Sequence, residues 1–232
     1  MKQAIRSAYV STLRGARRVF GAIGFLAWLE RREGRGARWF RSLFAIYDID
    51  DLVRLDMPWW TFDAIDAVDQ YLEAKSGARV FEWGSGASTV WLAKRAGEVI
   101  SVEHDGNWAD VVAPRIAGFD HVTLTCVSAQ KDGRIGSGKF GFEGQYFDAY
   151  VAAIRAVPGQ FDLIVIDGRA RESCLDEALA RLAPGGRILF DDFKRARYRA
   201  AVSGRGLSIQ TLDGLAACLP LPDSTALVSY PA

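Results

Sequence analysis

The sequence predicts an α/β fold built around a doubly wound, mostly parallel β-sheet of seven strands. Short apolar runs alternate with helical stretches from Ala78 onward, which is the pattern of consecutive βαβ units. A glycine turn at Gly84 and Gly86 joins the first of these runs to a helix. The last two apolar runs lie too close together for a helix between them, so we expect them to form an antiparallel hairpin.

The individual elements follow from the spacing of apolar residues. Pro58 breaks the chain, and Thr61 is expected to cap a helix that ends at Gly77, because apolar residues recur at helical spacing between them. The predicted strands span 79–83, 99–103, 122–127, 163–167 and 187–191, followed by the hairpin strands 207–212 and 225–230. The predicted helices between them span 88–96, 108–117, 147–156 and 173–182. Residues 133–144 contain five glycines and are expected to form a mobile loop over the carboxyl edge of the sheet.

The chain length suits one α/β domain with an N-terminal extension. Its 232 residues can bury a substantial core, whereas two full domains would be cramped. Apolar residues make up 50% and charged residues 25% of the chain, a composition typical of folded soluble proteins. We therefore predict a basic, helical extension over residues 1–56 and an α/β domain over residues 57–232.

The formal net charge of +1 conceals an asymmetry along the chain. Residues 1–41 hold ten Lys/Arg against two acidic residues and carry +8, whereas the remainder holds 19 basic and 26 acidic residues and carries −7. So acidic a body is a poor match for a nucleic-acid backbone, because neutralised phosphates supply most of the affinity in such complexes. We therefore expect a small-molecule partner and no nucleic acid.

Cysteine and histidine usage argues against several kinds of site. Cys126, Cys174 and Cys218 are widely spaced and include no CxxC pair, so neither a disulfide framework nor a zinc site is indicated. A reducing, cytoplasmic location fits this usage. His104 and His121 are the only histidines, which disfavours a multi-histidine metal centre.

The N-terminal extension contains an apolar run over residues 19–29, flanked by paired arginines. These eleven residues cannot span a bilayer, and the acidic and basic residues after them do not resemble a signal cleavage site. Such a helix could lie on an anionic membrane surface, or it could cap the α/β domain or a second copy of the chain. We favour the cap, because apolar runs of this length are more often buried, and keep peripheral membrane contact as the alternative.

The turn after the first predicted strand carries the strongest chemical signal. Residues 81–86 read Phe-Glu-Trp-Gly-Ser-Gly, and the two glycines allow a ligand to approach the backbone closely. Thr89 stands where the full dinucleotide fingerprint requires a third glycine, which disfavours a NAD site. The second strand ends at Glu103, about 20 positions after the glycines, where one carboxylate can accept both hydroxyl hydrogens of a ribose.

These motifs resemble those of class I S-adenosylmethionine (SAM)-dependent methyltransferases, over about residues 60–232. The resemblance implies a Rossmann-like fold in which 57–232 is the SAM-binding domain, with Glu82 near the methionine part of SAM and Glu103 on its ribose. It also implies that Ser128 and Gln130 border the adenine. The expected cofactor-binding residues are Glu82, Gly84, Ser85, Gly86, Ser88, Glu103, His104, Ser128, Gln130 and Asp167.

Two later segments resemble further strands of the same family. Residues 161–168 match the fourth strand and end in Asp167-Gly168. Amino-group methyltransferases of nucleic acid typically have Asn/Asp-Pro-Pro-aromatic at this point, so the resemblance counts against base methylation. Residues 182–192 are similar to the family's Pro-Gly-Gly turn and fifth strand.

Three acidic residues at the strand ends suggest a metal site. Asp167, Asp191 and Asp192 match metal-ligand positions of catechol and caffeoyl-CoA type O-methyltransferases, and their oxygens suit Mg²⁺. Asp192 departs from that pattern, in which an Asn is usual, and Arg169 and Arg171 place two cations beside the cluster. We therefore keep Mg²⁺ as an alternative that is not favoured. The arginines could clamp a carboxylate or phosphate of the acceptor, or they could pair with the aspartates.

The resemblance implies methyl transfer to a hydroxyl or carboxyl oxygen of a small, anionic molecule. Asp167 is the candidate for removing or positioning the acceptor proton, with Arg169 beside the acceptor and Asp192 as the reserve base. Two alternatives stay open. One is an aminopropyltransferase of the same fold, which Arg169 and Arg171 disfavour by repelling a polyamine. The other is a noncatalytic SAM-binding module.

Overall fold

The computed structural model describes residues 2–231, and the side chains of residues 8–231. Seven strands form one sheet in the order β3-β2-β1-β4-β5-β7-β6. They are β1 (Arg79–Trp83), β2 (Glu98–Glu103), β3 (Val122–Cys126), β4 (Phe161–Ile166), β5 (Leu182–Phe190), β6 (Ser208–Gly214) and β7 (Asp223–Ser229). The strands β1 to β5 pair in parallel, whereas β7 pairs antiparallel with both β5 and β6.

Helices cover both faces of the sheet and the N-terminal part of the chain. They are α1 (Lys2–Ala22), α2 (Phe25–Glu30), α3 (Arg35–Leu43), α4 (Ile49–Arg54), α5 (Phe62–Glu73), α6 (Ala87–Ala93), α7 (Gly106–Ile116), α8 (Asp148–Ala152), α9 (Arg171–Arg181) and α10 (Ala196–Val202), with a 3₁₀ turn at Ala153–Ala156. Thr61 caps α5 by accepting a hydrogen bond from the Ala64 N–H at 3.3 Å, as its sequence position predicted.

Alternation along the strands divides the buried side chains between two apolar layers. Val80 and Val165 pack in one layer with side chains of α5, α6 and α7. Phe81 and Ile164 point to the opposite face and pack with α8, α9 and α10. Because helices cover both faces of the sheet, a ligand is expected outside the carboxyl ends of its parallel strands.

The predicted fold class is confirmed, including the antiparallel C-terminal pair. Two elements differ from the prediction. The strand β5 begins at Leu182, because that residue already pairs with Phe161 of β4 before an irregularity in the register. The helix α10 was not predicted, because its seven residues, of which Tyr198 and Val202 are buried, are too few to establish a helical period.

The N-terminal apolar run is divided by a turn. Gly24 has φ of +74° and separates α1 from α2, so residues 19–29 do not form one continuous helix. Leu26 and Leu29 are buried against Phe44, whereas Ile23 on the other side is 69% exposed. No helix within residues 2–231 is long and apolar enough to cross a membrane.

Specific contacts attach this N-terminal part to the α/β domain. The Trp39 Nε1–H donates to the Leu219 carbonyl at 2.8 Å, and the Cys218 N–H donates to Ser42 Oγ at 3.0 Å. Within the N-terminal part itself, buried Arg41 forms a two-donor pair with Asp51 at 2.7 and 3.0 Å. These contacts favour the interpretation of the segment as a helical cap on the domain.

Candidate active site

The turn after β1 assigns different roles to its two glycines. Gly84 has φ of +100°, and a Cβ at this position would lie 2.8 Å from backbone atoms of Asp167 and Gly168. The fold itself therefore requires Gly84. At Gly86 the nearest atom to a Cβ would be Ser88 Oγ at 4.0 Å, so the space beside Gly86 is open to a ligand.

Glu103, at the end of β2, presents a carboxylate beside this turn. Its Oε1 accepts hydrogen bonds from the N–H groups of His104 and Asp105 at 2.7 and 2.9 Å, and its Oε2 accepts from the Ser85 N–H at 3.1 Å. Burial alone would raise the pKa of Glu103, but His104 and the backbone donors lower it below its ordinary value. The side chain is therefore an ionised acceptor, held rigidly by the turn.

Glu82 lies next to this turn in sequence but points into the protein. Its carboxyl group is fully buried and accepts hydrogen bonds from the hydroxyls of Ser88, Thr89 and Ser101 at 2.5 to 2.6 Å. Burial raises the pKa of Glu82 to about 7 in spite of these hydrogen bonds. Its structural effect is to tie the start of α6 to β1 and β2.

Two adjoining cavities lie at the carboxyl edge of the sheet. The first cavity has a volume of about 510 Å³ and lies over the glycine turn. Its lining residues are 47–49, 52, 59, 84–88, 103–105, 108, 139, 142 and 167–169. The second cavity has a volume of about 480 Å³ and is more polar. Its lining residues are 47, 59–61, 137–139, 167–172, 191–192, 195, 197–198, 216, 219 and 223.

A guanidinium group stands among the three aspartates of the second cavity. The Arg171 Nη2 atom lies 2.8 Å from Asp167 Oδ1 and 3.3 Å from Asp192 Oδ2, and Nη1 lies 3.4 Å from Asp191 Oδ2. Arg171 is 6% exposed. No group of acidic, histidine or cysteine side chains within the described chain is arranged to hold a metal ion. A Mg²⁺ ion at this cluster would have to displace the guanidinium.

Asp167 is the aspartate that reaches both cavities. Burial raises the pKa of Asp167 to about 6, with the Arg171 charge opposing this rise and Asp192 adding to it. Burial and the neighbouring Asp167 hold the pKa of Asp191 well above its ordinary value. Asp167 is therefore mainly ionised at neutral pH and can accept a proton, whereas Asp191 tends to keep one.

Backbone strain concentrates around the second cavity. Tyr47, Ala170 and Asp192 line it, and their φ values of 55°, 50° and 57° lie in the left-handed region that glycine prefers. Each such residue costs roughly 1–3 kcal/mol and persists only where the surroundings impose it. The strain therefore supports a functional role for this cavity.

Comparison with known proteins is consistent with this geometry. A family model described as "Methyltransferase domain" matches residues 81–193, which include the glycine turn, Glu103 and the aspartate cluster. Residues 81–193 form a methyltransferase domain. The class I SAM-dependent methyltransferase that the sequence predicted is therefore confirmed for this part of the chain. No curated protein sequence gives a significant match.

Solved structures share the fold of this methyltransferase at low sequence identity. An rRNA methylase from Streptococcus thermophilus aligns with a TM-score of 0.52 and 14% identity, over 72% of this chain and 95% of its own. A methyltransferase-like protein from Silicibacter pomeroyi aligns at 0.50 and 21%, over 74% and 87%. A Streptococcus mutans protein solved with S-adenosylhomocysteine (SAH) aligns at 0.50 and 12%, over 71% and 96%.

The prediction that nucleic acid is not a partner is wrong. Structures that share the methyltransferase fold include the Streptococcus thermophilus rRNA methylase. The argument from charge treated residues 42–232 as a separate acidic body, yet the basic segment packs on that body. Arg17, for example, pairs with Asp51 at 3.2 Å, so charge counted along the chain does not describe the surface that an acceptor meets.

The first cavity suits SAM, whose binding the family implies. The space beside Gly86 admits a ligand next to the backbone, and the ionised Glu103 can accept hydrogen bonds from ribose hydroxyls. Ile49 and Leu52 supply apolar wall, and the Trp108 Nε1–H donates to the Ser85 carbonyl at 2.7 Å, which fixes this ring at the cavity rim. The volume lies within the range of about 300–1,000 Å³ that is typical of small-molecule sites.

The structure brings most of the predicted site residues of the methyltransferase to the cavities. Those that line the first cavity are Gly84, Ser85, Gly86, Ser88, Glu103, His104, Asp167 and Arg169. Asp192 lines only the second cavity, where its carboxylate pairs with Arg195 at 2.7 Å. Asp192 is therefore poorly placed to act as a base beside the cofactor.

Three predicted cofactor residues lie outside both cavities. Glu82 is held within the protein by its three hydroxyl donors. Ser128 is exposed beyond β3. Gln130 pairs with Tyr146 through backbone hydrogen bonds of 2.8 and 2.9 Å, and its side-chain oxygen accepts from the Ala149 N–H at 3.1 Å. Ser128 and Gln130 therefore do not border the first cavity, whereas the loop at 133–144 that follows them reaches it through Lys139 and Phe142.

Several lining residues of the first cavity were not anticipated. Trp108 lies in the first turn of α7, directly after the Asp105 cap. It follows Glu103 by only five residues in the sequence, and this short separation could have identified it. Tyr47, Leu52 and Trp59 precede the glycine turn by more than 20 residues, and no local motif connects them with it. Their positions depend on the packing of the N-terminal cap.

Proposed function

We propose that this methyltransferase transfers the SAM methyl group to an oxygen atom of a small, anionic acceptor that binds in the second cavity. The observation that carries this proposal is the state of Arg169. Its Nε atom is buried without a hydrogen-bond partner, and the residue forms no ion pair with residues 8–231. Arg169 lines both cavities, so its charge is available where donor and acceptor meet.

The electrostatics of Arg169 favour an incoming anion. Burial and the neighbouring Arg171 lower the pKa of Arg169, which means that its positive charge is poorly compensated. The guanidinium carbon lies 5.0 Å from the Phe142 ring centroid, a contact that orients the group without neutralising it. A carboxylate or phosphate on the acceptor would supply the missing charge and hydrogen bonds.

The residues at the meeting point of the cavities suit the proposed reaction. When bound, SAM would supply a methyl group to the acceptor oxygen, and the electron pair of the broken carbon–sulfur bond would stay on sulfur, giving SAH. If the acceptor is a hydroxyl, Asp167 takes its proton, which the pKa of about 6 permits at neutral pH. If it is a carboxylate, no proton moves and Asp167 serves to orient it.

Arg171 holds Asp167 in position for this step. It donates to the Asp167 carboxylate at 2.8 Å and to the Asp167 carbonyl at 3.0 Å, while the Trp60 Nε1–H donates to the other carboxylate oxygen at 3.3 Å. These contacts restrict the rotation of the side chain, which lowers the entropic cost of proton transfer. Arg171 therefore orients the base, whereas Arg169 is proposed to bind the acceptor.

Calorimetry with SAM and SAH, followed by an acceptor screen, tests the proposal. The screen contains hydroxy acids, dicarboxylates and phosphorylated hydroxy compounds, together with a short RNA, because an RNA phosphate would also pair with Arg169. With any acceptor found, Arg169→Ala should raise the acceptor KM at least about tenfold, equivalent to 1.4 kcal/mol, and leave SAM affinity unchanged.

Arg155→Ala is the matched control, because Arg155 pairs with Glu177 at the surface away from the cavities. Loss of SAM affinity in Arg169→Ala, with the acceptor KM unchanged, would assign this arginine to the cofactor and contradict the acceptor role. If the protein binds SAM but methylates only uncharged acceptors, the proposal that the acceptor is anionic would be contradicted.

A further inference from the structure

The two cavities meet at a small set of residues that must surround the methyl group during transfer. Both cavities are lined by Tyr47, Trp59, Lys139, Asp167, Gly168 and Arg169. A donor in the first cavity and an acceptor in the second can approach each other only through this shared region, which we call the junction. The reacting atoms must come within about 3–3.5 Å of each other, so their approach takes place between the junction residues.

Charge at the junction does not favour the positively charged sulfonium of SAM. Arg169 contributes a cation that forms no ion pair with residues 8–231. Asp167 contributes one carboxylate, but that group is already engaged by Arg171 at 2.8 Å. A sulfonium at this point therefore needs stabilisation from groups other than a free anion.

Two aromatic rings provide such stabilisation. Tyr47 and Trp59 lie edge to face, with ring centroids 5.3 Å apart and planes at 62°. Aromatic faces attract cations through their quadrupole, and Trp and Tyr do so most strongly. Tyr47 is a large aromatic residue, yet 41% of it is exposed, and its backbone is held at φ of 55°. A strained backbone of this kind persists only where the surrounding structure imposes it.

We propose that Tyr47 and Trp59 form the aromatic wall of the junction and bind the sulfonium of SAM by cation–π attraction. The inference rests on the proposed methyl transfer between the two cavities. It assigns part of the active site to residues that precede the matched methyltransferase domain at 81–193. It also gives the N-terminal cap a direct part in the reaction, since Tyr47 lies between α3 and α4.

The test compares SAM, which is a cation at sulfur, with SAH, which is neutral there. Both are titrated calorimetrically into the full-length protein and its variants. Tyr47→Asn removes the ring and suits the left-handed backbone, and Trp59→Leu removes the second ring. We expect each variant to weaken SAM binding about three- to tenfold and to leave SAH binding unchanged, because the cation–π attraction applies only to the charged ligand.

Ring-retaining variants and a remote control complete the design. Tyr47→Phe and Trp59→Phe should keep most of the preference for SAM. Trp28→Leu should behave as wild type, because Trp28 is an exposed aromatic of the same N-terminal part and lines neither cavity. Thermal unfolding followed by circular dichroism identifies any variant that does not fold, and Tyr47→Asn, at an exposed position, carries the test if Trp59→Leu does not.

The outcomes separate this inference from the proposed function. An equal loss of SAM and SAH affinity, or no loss of either, would overturn the aromatic wall while leaving methyl transfer intact. Failure of the wild-type protein to bind SAM and SAH would overturn the proposed function and the inference together. A selective loss for SAM that the phenylalanine variants restore would support the assignment.

Discussion

The first and second cavities are of similar volume but are assembled in different ways. The first has a local centre, the turn after β1 and the end of β2 within 84–105, to which residues from 47–59, 139–142 and 167–169 are added. The second has no such centre and collects residues from 47–61, 137–139, 167–172, 191–198 and 216–223. The part of a site that lies in one local motif can be found by its residue pattern, whereas a composite site depends on the complete fold. The difference predicts that cofactor binding and turnover respond to different substitutions.

The largest expected effect is the loss of turnover in Asp167→Asn. If the acceptor is a hydroxyl, removal of the base should lower kcat about 100- to 1,000-fold, while SAM affinity changes less than about threefold. In the wild type, kcat should rise with pH through about 6, because Asp167 must be deprotonated to accept the proton. The Asn variant should lack this rise.

Measurement of kcat and of SAM affinity from pH 5 to 8 checks this prediction. Asp176→Asn is the control, because Asp176 lies at the surface and pairs with Arg205. A loss of less than tenfold in the Asp167 variant, or an unchanged pH profile, would show that Asp167 is not the base.

A smaller effect, confined to the first cavity, is expected for Glu103→Ala. Loss of hydrogen bonds from the ribose to a charged group should weaken SAM binding by about 1.5 to 3 kcal/mol. Glu103 also holds the N–H groups of Ser85, His104 and Asp105, so circular dichroism must first show that the variant folds.

Glu98→Ala provides the matched control, because Glu98 begins the same strand and pairs with Arg79 away from both cavities. Isothermal titration with SAM gives the affinities. Unchanged affinity in a folded Glu103 variant would remove this residue from the cofactor site.

The smallest effect on cofactor binding and turnover is expected at the buried Glu82, whose titration changes stability instead. Its pKa of about 7 in the folded state exceeds the ordinary value of 4.5, so the folded protein keeps a proton that the unfolded chain has released. The stabilising contribution is therefore complete below about pH 4.5 and is lost as the pH rises to about 7. Relative to Glu82→Gln, the wild type should lose about 3 kcal/mol of unfolding free energy across this window.

Urea unfolding at several pH values between 4.5 and 8 measures this difference. Above pH 7, Glu82 is ionised in both the folded and the unfolded chain, so the stabilities of the two proteins should change with pH in the same way. A constant difference throughout the window would mean that the buried carboxyl titrates normally. SAM affinity of the Gln variant should stay close to that of the wild type, since Glu82 lines neither cavity.

The sheet was predictable because its signals are local. Apolar runs and turns recur in order along the chain, and β1 was placed at its observed bounds. Alternation of side chains along a strand is another local signal, and it contradicts the position near the cofactor that the family resemblance implied for Glu82. Side chains alternate along a strand, and Phe81 and Trp83 point to one face, so Glu82 must point into the opposite, buried layer. Alternation would therefore have placed Glu82 inside the protein and away from the cofactor.

Other features were not predictable because they arise from distant contacts. Trp39 donates to the carbonyl of Leu219, 180 residues later in the chain, and no periodicity records such a pairing. The two arginines after Asp167 illustrate the same limit. The sequence allowed both to pair with aspartates or to face the acceptor, and the structure separates them, since Arg171 is paired and Arg169 is not.

The close approach of Gly84 to Asp167 and Gly168 has a consequence for redesign of the enzyme. Only 2.8 Å would separate a Cβ at position 84 from that backbone, so even an alanine there would push on the strand end that carries the base. Gly86 has no such restriction. Redesign for SAM analogues with bulkier transferable groups should therefore keep glycine at position 84, because any side chain there would displace the backbone of Asp167.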